Sequence, residues 1–132
     1  MDRCIFCKIA NGTEEAQVIY EDEKHLGFLD IFPVVPGQVI LITRSHEPSN
    51  VFELPDEKLC ALFLAAKRAT GKISRGLGVE RVIQAMEGFG VDHAHIKLYP
   101  AVNLAEGGLI PVGHRADKIE LEEVALKIRR GG

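Results

Sequence analysis

Val91-Asp92-His93-Ala94-His95-Ile96-Lys97-Leu98-Tyr99-Pro100 alternates polar and apolar residues with a period of two. Successive side chains of a strand point to opposite faces. The alternation predicts a strand with His93, His95, Lys97 and Tyr99 on one face, while Ala94, Ile96 and Leu98 turn into a core. Two imidazoles and an ammonium backed by a core suit the handling of a phosphate. Histidine serves as nucleophile or as general acid and base near neutral pH. Lysine supplies a fixed positive charge. A polar strand face with no chemistry gives the same alternation, because half-buried strands commonly read this way. The pattern alone does not choose between the two.

Working outward, Gly88-Phe89-Gly90 turns the chain into this strand, and Arg81 to Met86 reads as the strand before it. Upstream, Pro55-Asp56-Glu57 opens a long helix, with proline and acids in its first turn. Leu59, Leu62, Phe63, Ala66, Thr70, Ile73 and Leu77 recur at helical spacing and give it an apolar face, and Gly76 and Gly78 end it. Cys60 falls beside that stripe and reads as a core-edge thiol. Gln17 to Tyr20 and His25 to Asp30 read as the two arms of a hairpin, and Gln38 to Thr43 as a buried strand. Ile31 to Gly37, with Pro33, Pro36 and Gly37, is a loop. Cys4 to Ala10 is short and apolar and ends at the turn Asn11-Gly12. Asp117 and Glu120 form a capping pair for a last helix, with Leu121, Val124, Ala125 and Ile128 as its buried stripe. Ala101 to Arg115 is glycine-rich and resists assignment. Strands paired by hairpins with helices inserted predict an α+β domain around an antiparallel sheet, one domain over residues 1–132.

The composition fits this. Apolar residues make up 46% and charged residues 27% of the 132, ordinary values for a globular protein. No stretch approaches the roughly 20 apolar residues that cross a bilayer, and the N-terminus shows no secretory signal. The expected location is cytoplasmic, with no membrane partner. A net charge of −3 argues against polymeric nucleic acid, though not against a small nucleotide. Three cysteines without an export signal suggest a reducing compartment. There a Cys-x-x-Cys pair is metal-binding or redox-active rather than a structural disulfide. Cys4 and Cys7 have that spacing. His25 and His114 carry no motif and are expected at the surface.

His93-Ala94-His95-Ile96-Lys97-Leu98-Tyr99-Pro100, preceded by Gly88-Phe89-Gly90-Val91, resembles the signature of the histidine triad (HIT) superfamily. Cys4-Ile5-Phe6-Cys7-Lys8-Ile9 is similar to the start of its zinc-containing bacterial and archaeal branch. Gly27-Phe28-Leu29-Asp30-Ile31, Pro36 to Ile42 and Arg44-Ser45-His46 follow in the family's order. The resemblance implies a five-stranded antiparallel sheet with two helices, dimerising into a larger sheet. It implies attack by the middle histidine, here His95, on the α-phosphate of a purine nucleotide conjugate, with Lys97 assisting. Phosphoramidates, aminoacyl adenylates and dinucleoside polyphosphates are substrates of the class. Asp30 resembles the carboxylate that binds the ribose hydroxyls. Ile5, Phe6, Phe28 and Ile31 resemble the walls around the purine. Gly88, Gly90 and Val91, in the loop ahead of the triad, complete the nucleotide-binding set.

The chain departs from the family pattern where Lys97 replaces the third histidine. Phe89 and Gly90 stand where a polar phosphate-binding pair often sits. In the zinc branch, His46 and His93 complete a Cys₂His₂ site with Cys4 and Cys7, and this structural Zn²⁺ is the expected cofactor. A redox pair would need a helix start after a strand, which is not evident. Ala61, Leu64 and Ala65 lie outside the main stripe of the long helix, and extra apolar surface marks a homodimer interface. The leading expectation is a HIT hydrolase or nucleotidyltransferase. The alternatives are a nucleotide sensor with little turnover, and a zinc-stabilised scaffold with no ligand.

Overall fold

A computed structural model describes residues 4–101 and 113–131. The described elements are α1 (Ile5–Ala10), β1 (Val18–Glu21), β2 (His25–Leu29), β3 (Val39–Thr43), a 3-10 turn over Val51–Glu53, α2 (Asp56–Leu77), β4 (Val82–Ala85), β5 (His95–Pro100) and α3 (Lys118–Gly131). The strands form one antiparallel sheet in the order β1-β2-β3-β5-β4. The domain is α+β with a five-stranded antiparallel sheet, as the sequence predicts. Much of 101–115, which the sequence left unassigned, lies outside the described residues.

The period of two decides which face each strand residue serves. On one face Val39 and Leu41 of β3 and Ile96 and Leu98 of β5 meet α2, together with Leu62, Ala65, Ala66, Ala69 and Ile73. On the other, Ile40 and Ile42 pack with Leu26, Phe28 and Phe6. Every residue of β3 is buried because its strand has a core on both sides. The α2 helix ends at Gly78, whose φ of +67° is left-handed and costs glycine little. Gly76, two residues earlier, stays helical.

The structure corrects several side-chain expectations. Ala65 is fully buried, whereas Phe63 (37% exposed) and Leu77 (50%) turn outward. A helix packed across a twisted sheet buries a stripe of small residues, and alanine lets α2 approach closely. Cys60 is exposed. Leu121, Val124 and Ile128 of α3 are 57%, 46% and 71% exposed, and no described residue of α3 is buried. The stripe expected to be buried is therefore uncovered by any described residue, although the segment does form a helix. His25 is buried, not superficial. Its Nδ1 lies 2.9 Å from Asp22 Oδ1, and Tyr20 Oη donates to Asp22 Oδ2 at 2.7 Å. His114 is exposed, as expected. No described helix is long and apolar enough to cross a membrane.

Candidate active site and metal centre

The alternation of β5 sends His95 and Lys97 to the face opposite α2. His93 lies ahead of the strand, where its N–H bonds back to Val91 at 2.9 Å. Its ring therefore leaves the row and is fully buried. Tyr99 shares the face of Lys97 but does not line the cavity in front of it. The expected row of four is thus divided: His95 and Lys97 face the cavity, and His93 faces a cysteine pair.

His95 is held from behind. Its Nδ1 donates to the backbone carbonyl of His93 at 2.7 Å, so Nε2 carries the lone pair. Phe6 packs edge-on against the ring, centroids 5.2 Å apart. Burial pushes the imidazole below its ordinary 6.5, and the charge of Lys97 adds to this. The ring is neutral at pH 7 and nucleophilic through Nε2. The ion pairs among the described residues join Asp22 to His25, Glu21 to Arg44 and Glu47 to Lys58, leaving Lys97 with no carboxylate partner.

The cavity before His95 has a volume of about 420 Å³. Ile5 and Phe6 of α1 and Phe28 of β2 wall it, and Ile31 stands at its mouth, 83% exposed. Asp30 lines it just past β2. One carboxylate oxygen accepts the N–H of Phe32 at 2.8 Å and the other accepts Gln38 Nε2 at 2.8 Å. Gln38 is buried and its Oε1 accepts the N–H of Val34, so one amide fixes both Asp30 and the proline-rich loop. Sequence reasoning missed Gln38. Its signal was a polar residue beginning an otherwise apolar strand.

Gly88, Gly90 and Val91 line the same cavity from the β4–β5 loop. Gly88 has φ +73°, and a Cβ there would lie 2.6 Å from the carbonyl oxygen of Ser49. Ser49 Oγ donates to the Gly88 carbonyl at 2.8 Å and its N–H donates to Asp92 at 3.2 Å. Ser49, also missed, ties this loop to the segment after β3. All ten residues expected to touch the nucleotide or its phosphate therefore converge on one cavity.

The cysteines converge elsewhere. Cys4 caps α1 through its Sγ, which accepts the N–H of Cys7 at 3.5 Å. One helical turn then puts both thiols on one side. His93 Nδ1 lies 3.4 Å from Cys4 Sγ and 3.5 Å from Cys7 Sγ, and His46 Nδ1 lies 3.2 Å from Cys7 Sγ. All four ligand atoms fall within 4.8 Å of one another. Tetrahedral bonds of about 2.3 Å to sulfur and 2.0–2.1 Å to nitrogen give sulfur–nitrogen edges near 3.5 Å. The donor set fits a closed metal site. His93 Nε2 donates to the Thr43 carbonyl at 2.6 Å, which leaves Nδ1 as the ligating nitrogen. Burial lowers the His93 pKa below 6.5, so its ring is neutral, the form that binds metal.

The model of the HIT domain matches residues 11–101 of the chain. The chain belongs to the HIT domain family. A HIT-like protein of Methanocaldococcus jannaschii is 32% identical over 131 residues, covering 96% of this chain and 98% of that relative. The adenosine 5'-monophosphoramidase of Schizosaccharomyces pombe is 31% identical over 138 residues, covering 96% and 98%. Among solved structures, a protein from Streptococcus mutans superposes with a TM-score of 0.81 at 29% identity, over 99% of this chain and 86% of that one. A HIT family member from Bacillus subtilis gives 0.76 at 26% identity, over 97% and 96%. This HIT protein resembles a HIT family hydrolase from Clostridium thermocellum in fold, with a TM-score of 0.69 at 26% identity over 80% of this chain and 96% of that one.

Proposed function

We propose that this HIT protein cleaves a purine nucleotide conjugate at the α-phosphate through a nucleotidyl-His95 intermediate. The observation that carries the reading is the His95 ring itself. It is buried, neutral and fixed through Nδ1, with Nε2 as the free nitrogen of a ring that lines the cavity. Nε2 attacks phosphorus, a P–N bond forms, and the bond to the leaving group breaks. The leaving group takes a proton from solvent as it departs, and the attacking water of the second step returns one. Water then attacks phosphorus, releasing the nucleotide, and His95 returns to its neutral form. Negative charge spread over the phosphoryl oxygens is met by Lys97 and by N–H groups of the Gly88–Val91 loop. Asp30 retains lone pairs for the ribose hydroxyls. The relative named as a phosphoramidase favours a P–N bond as the one cleaved.

On the same reading, Cys4, Cys7, His46 and His93 hold a structural Zn²⁺. A four-ligand site has no open position, so it orders α1 and the approach to β5 rather than taking part in the reaction. The protein acts as a homodimer.

The test is His95→Ala with an adenosine or guanosine phosphoramidate. Turnover should fall by at least about a thousandfold, equivalent to roughly 4 kcal/mol of transition-state stabilisation, while nucleotide affinity changes only modestly. Activity within tenfold of the parent would remove His95 as nucleophile. A parent protein that binds nucleotide but turns nothing over would favour the sensor reading, to which the replacement of the third triad histidine by Lys97 lends support.

A further inference from the structure

The charged and polar side chains that line the cavity are Glu14, Glu15, Asp30, Glu87, His95 and Lys97. Lys97 pairs with Ile40, Ile40 with Phe28, and Phe28 with Val18. These residues form one row across four strands, and at about 4.8 Å per strand the row spans roughly 14 Å. His95 and Lys97 stand at its β5 end. The segment 14–16 leads directly into β1 and lines the opposite end. Phe6 lies between, its ring 5.2 Å from that of His95 and 5.7 Å from that of Phe28. A nucleotide with its phosphorus at His95 therefore extends its base towards β1.

The polar side chains that line the β1 end are Glu14 and Glu15. Lys97, the lining side chain that can donate into the cavity, is at the reactive end, because the single N–H of the neutral His95 ring is spent on the His93 carbonyl. The two glutamates follow a fixed turn. Gly12 has φ +83°, and the N–H groups of Thr13 and Glu14 both donate to the Lys8 carbonyl, at 2.9 and 3.2 Å. Thr13 Oγ1 donates to Asn11 Oδ1 at 2.7 Å. Both glutamates are exposed, and neither enters an ion pair among the described residues.

A carboxylate only accepts hydrogen bonds. Guanine presents N1–H beside its 2-amino group, two parallel donors that match two carboxylate oxygens. Adenine presents its amino group beside the N1 lone pair, which a carboxylate repels. A site whose polar groups pair with one ligand rejects the analogue that leaves them unpaired. We infer that Glu14 and Glu15 make the base end of this cavity selective for guanine. The inference rests on the nucleotide-binding reading above and adds the identity of the base.

Titration calorimetry of the full chain with GMP, IMP and AMP tests it. GMP should bind about tenfold more tightly than AMP, as expected for charge-assisted bonds on an exposed carboxylate. IMP keeps N1–H, lacks the 2-amino group and should fall between them. The Glu14→Ala/Glu15→Ala double variant should bring all three within about twofold; both positions are exposed, so the fold is unaffected. AMP binding as tightly as GMP, or a double variant that keeps the full ratio, overturns the inference. If GMP and AMP bind equally and turnover still depends on His95, only the guanine selectivity fails. If no nucleotide binds at all, the nucleotide-binding reading fails and takes the base selectivity with it.

Discussion

At the scale of single residues, Lys97 separates this chain from the usual triad. An ammonium stays charged across neutral pH, whereas a histidine exchanges protons there. Lys97 can therefore stabilise phosphoryl charge but is a poor proton shuttle. Lys97→Ala should lower both nucleotide affinity and rate, by about tenfold together, as for the loss of one charge-assisted contact. Lys97→His should recover or raise phosphoramidate hydrolysis. Steady-state kinetics of the two variants decide this, and values within about twofold of the parent for both would leave Lys97 with no catalytic part. That His95 and Lys97 share the face towards the cavity was legible because a strand has a period of two. The turn of His93 away from them was not, since it follows from a backbone bond to Val91 that the alternation does not encode. His25 was misread for a similar reason. Its partner Asp22 lies in the hairpin turn, and only the folded hairpin brings Asp22, Tyr20 and His25 together.

At the scale of elements, the short α1 helix has two functions. Its Phe6 packs against both Phe28 and His95, and its two cysteines face His46 and His93. Metal binding would tie α1 to the segment after β3 and to the residue whose carbonyl orients His95. Cys4→Ser should therefore lower zinc content from one per chain and reduce the melting temperature by about 4 °C or more, since a lost metal ligand costs at least roughly 1 kcal/mol in a domain of this size. Elemental analysis beside calorimetry checks both. A parent protein that is equally stable and free of zinc after purification without chelator would refute the site. The Cys-x-x-Cys spacing was visible in the sequence. That α1 is a helix was not, because six residues are too few to show a helical period. The clamp of Gln38 on Asp30 was also hidden, since it joins residues from two elements.

At the scale of the whole molecule, apolar surface remains uncovered. Leu64 of α2 is 51% exposed beside Phe63, and β4 is an edge strand of the sheet. Edges and apolar patches of this kind seek partners. A homodimer formed through α2 and the neighbouring strand would cover them, and Leu64→Glu should then shift the mass in light scattering from dimer to monomer at micromolar concentration. A parent protein that is already monomeric there contradicts the dimer. The antiparallel sheet and the faces of β5 were legible from turn residues and alternation. The strand order was not, because β3 is buried on both sides and shows no alternation that would place it between β2 and β5. The exposure of α3 was not, because a periodic stripe says that a helix wants burial and not what covers it. The proposed reaction depends on covalent chemistry at His95. The direct measurement is mass spectrometry of protein quenched within milliseconds of mixing with a nucleoside phosphoramidate, under denaturing alkaline conditions that preserve the phosphorus–nitrogen bond. One nucleotidyl group should appear on the peptide bearing His95 and be missing from His95→Ala. Turnover with His95 unmodified at every time point, or with the group carried by another residue, would contradict it.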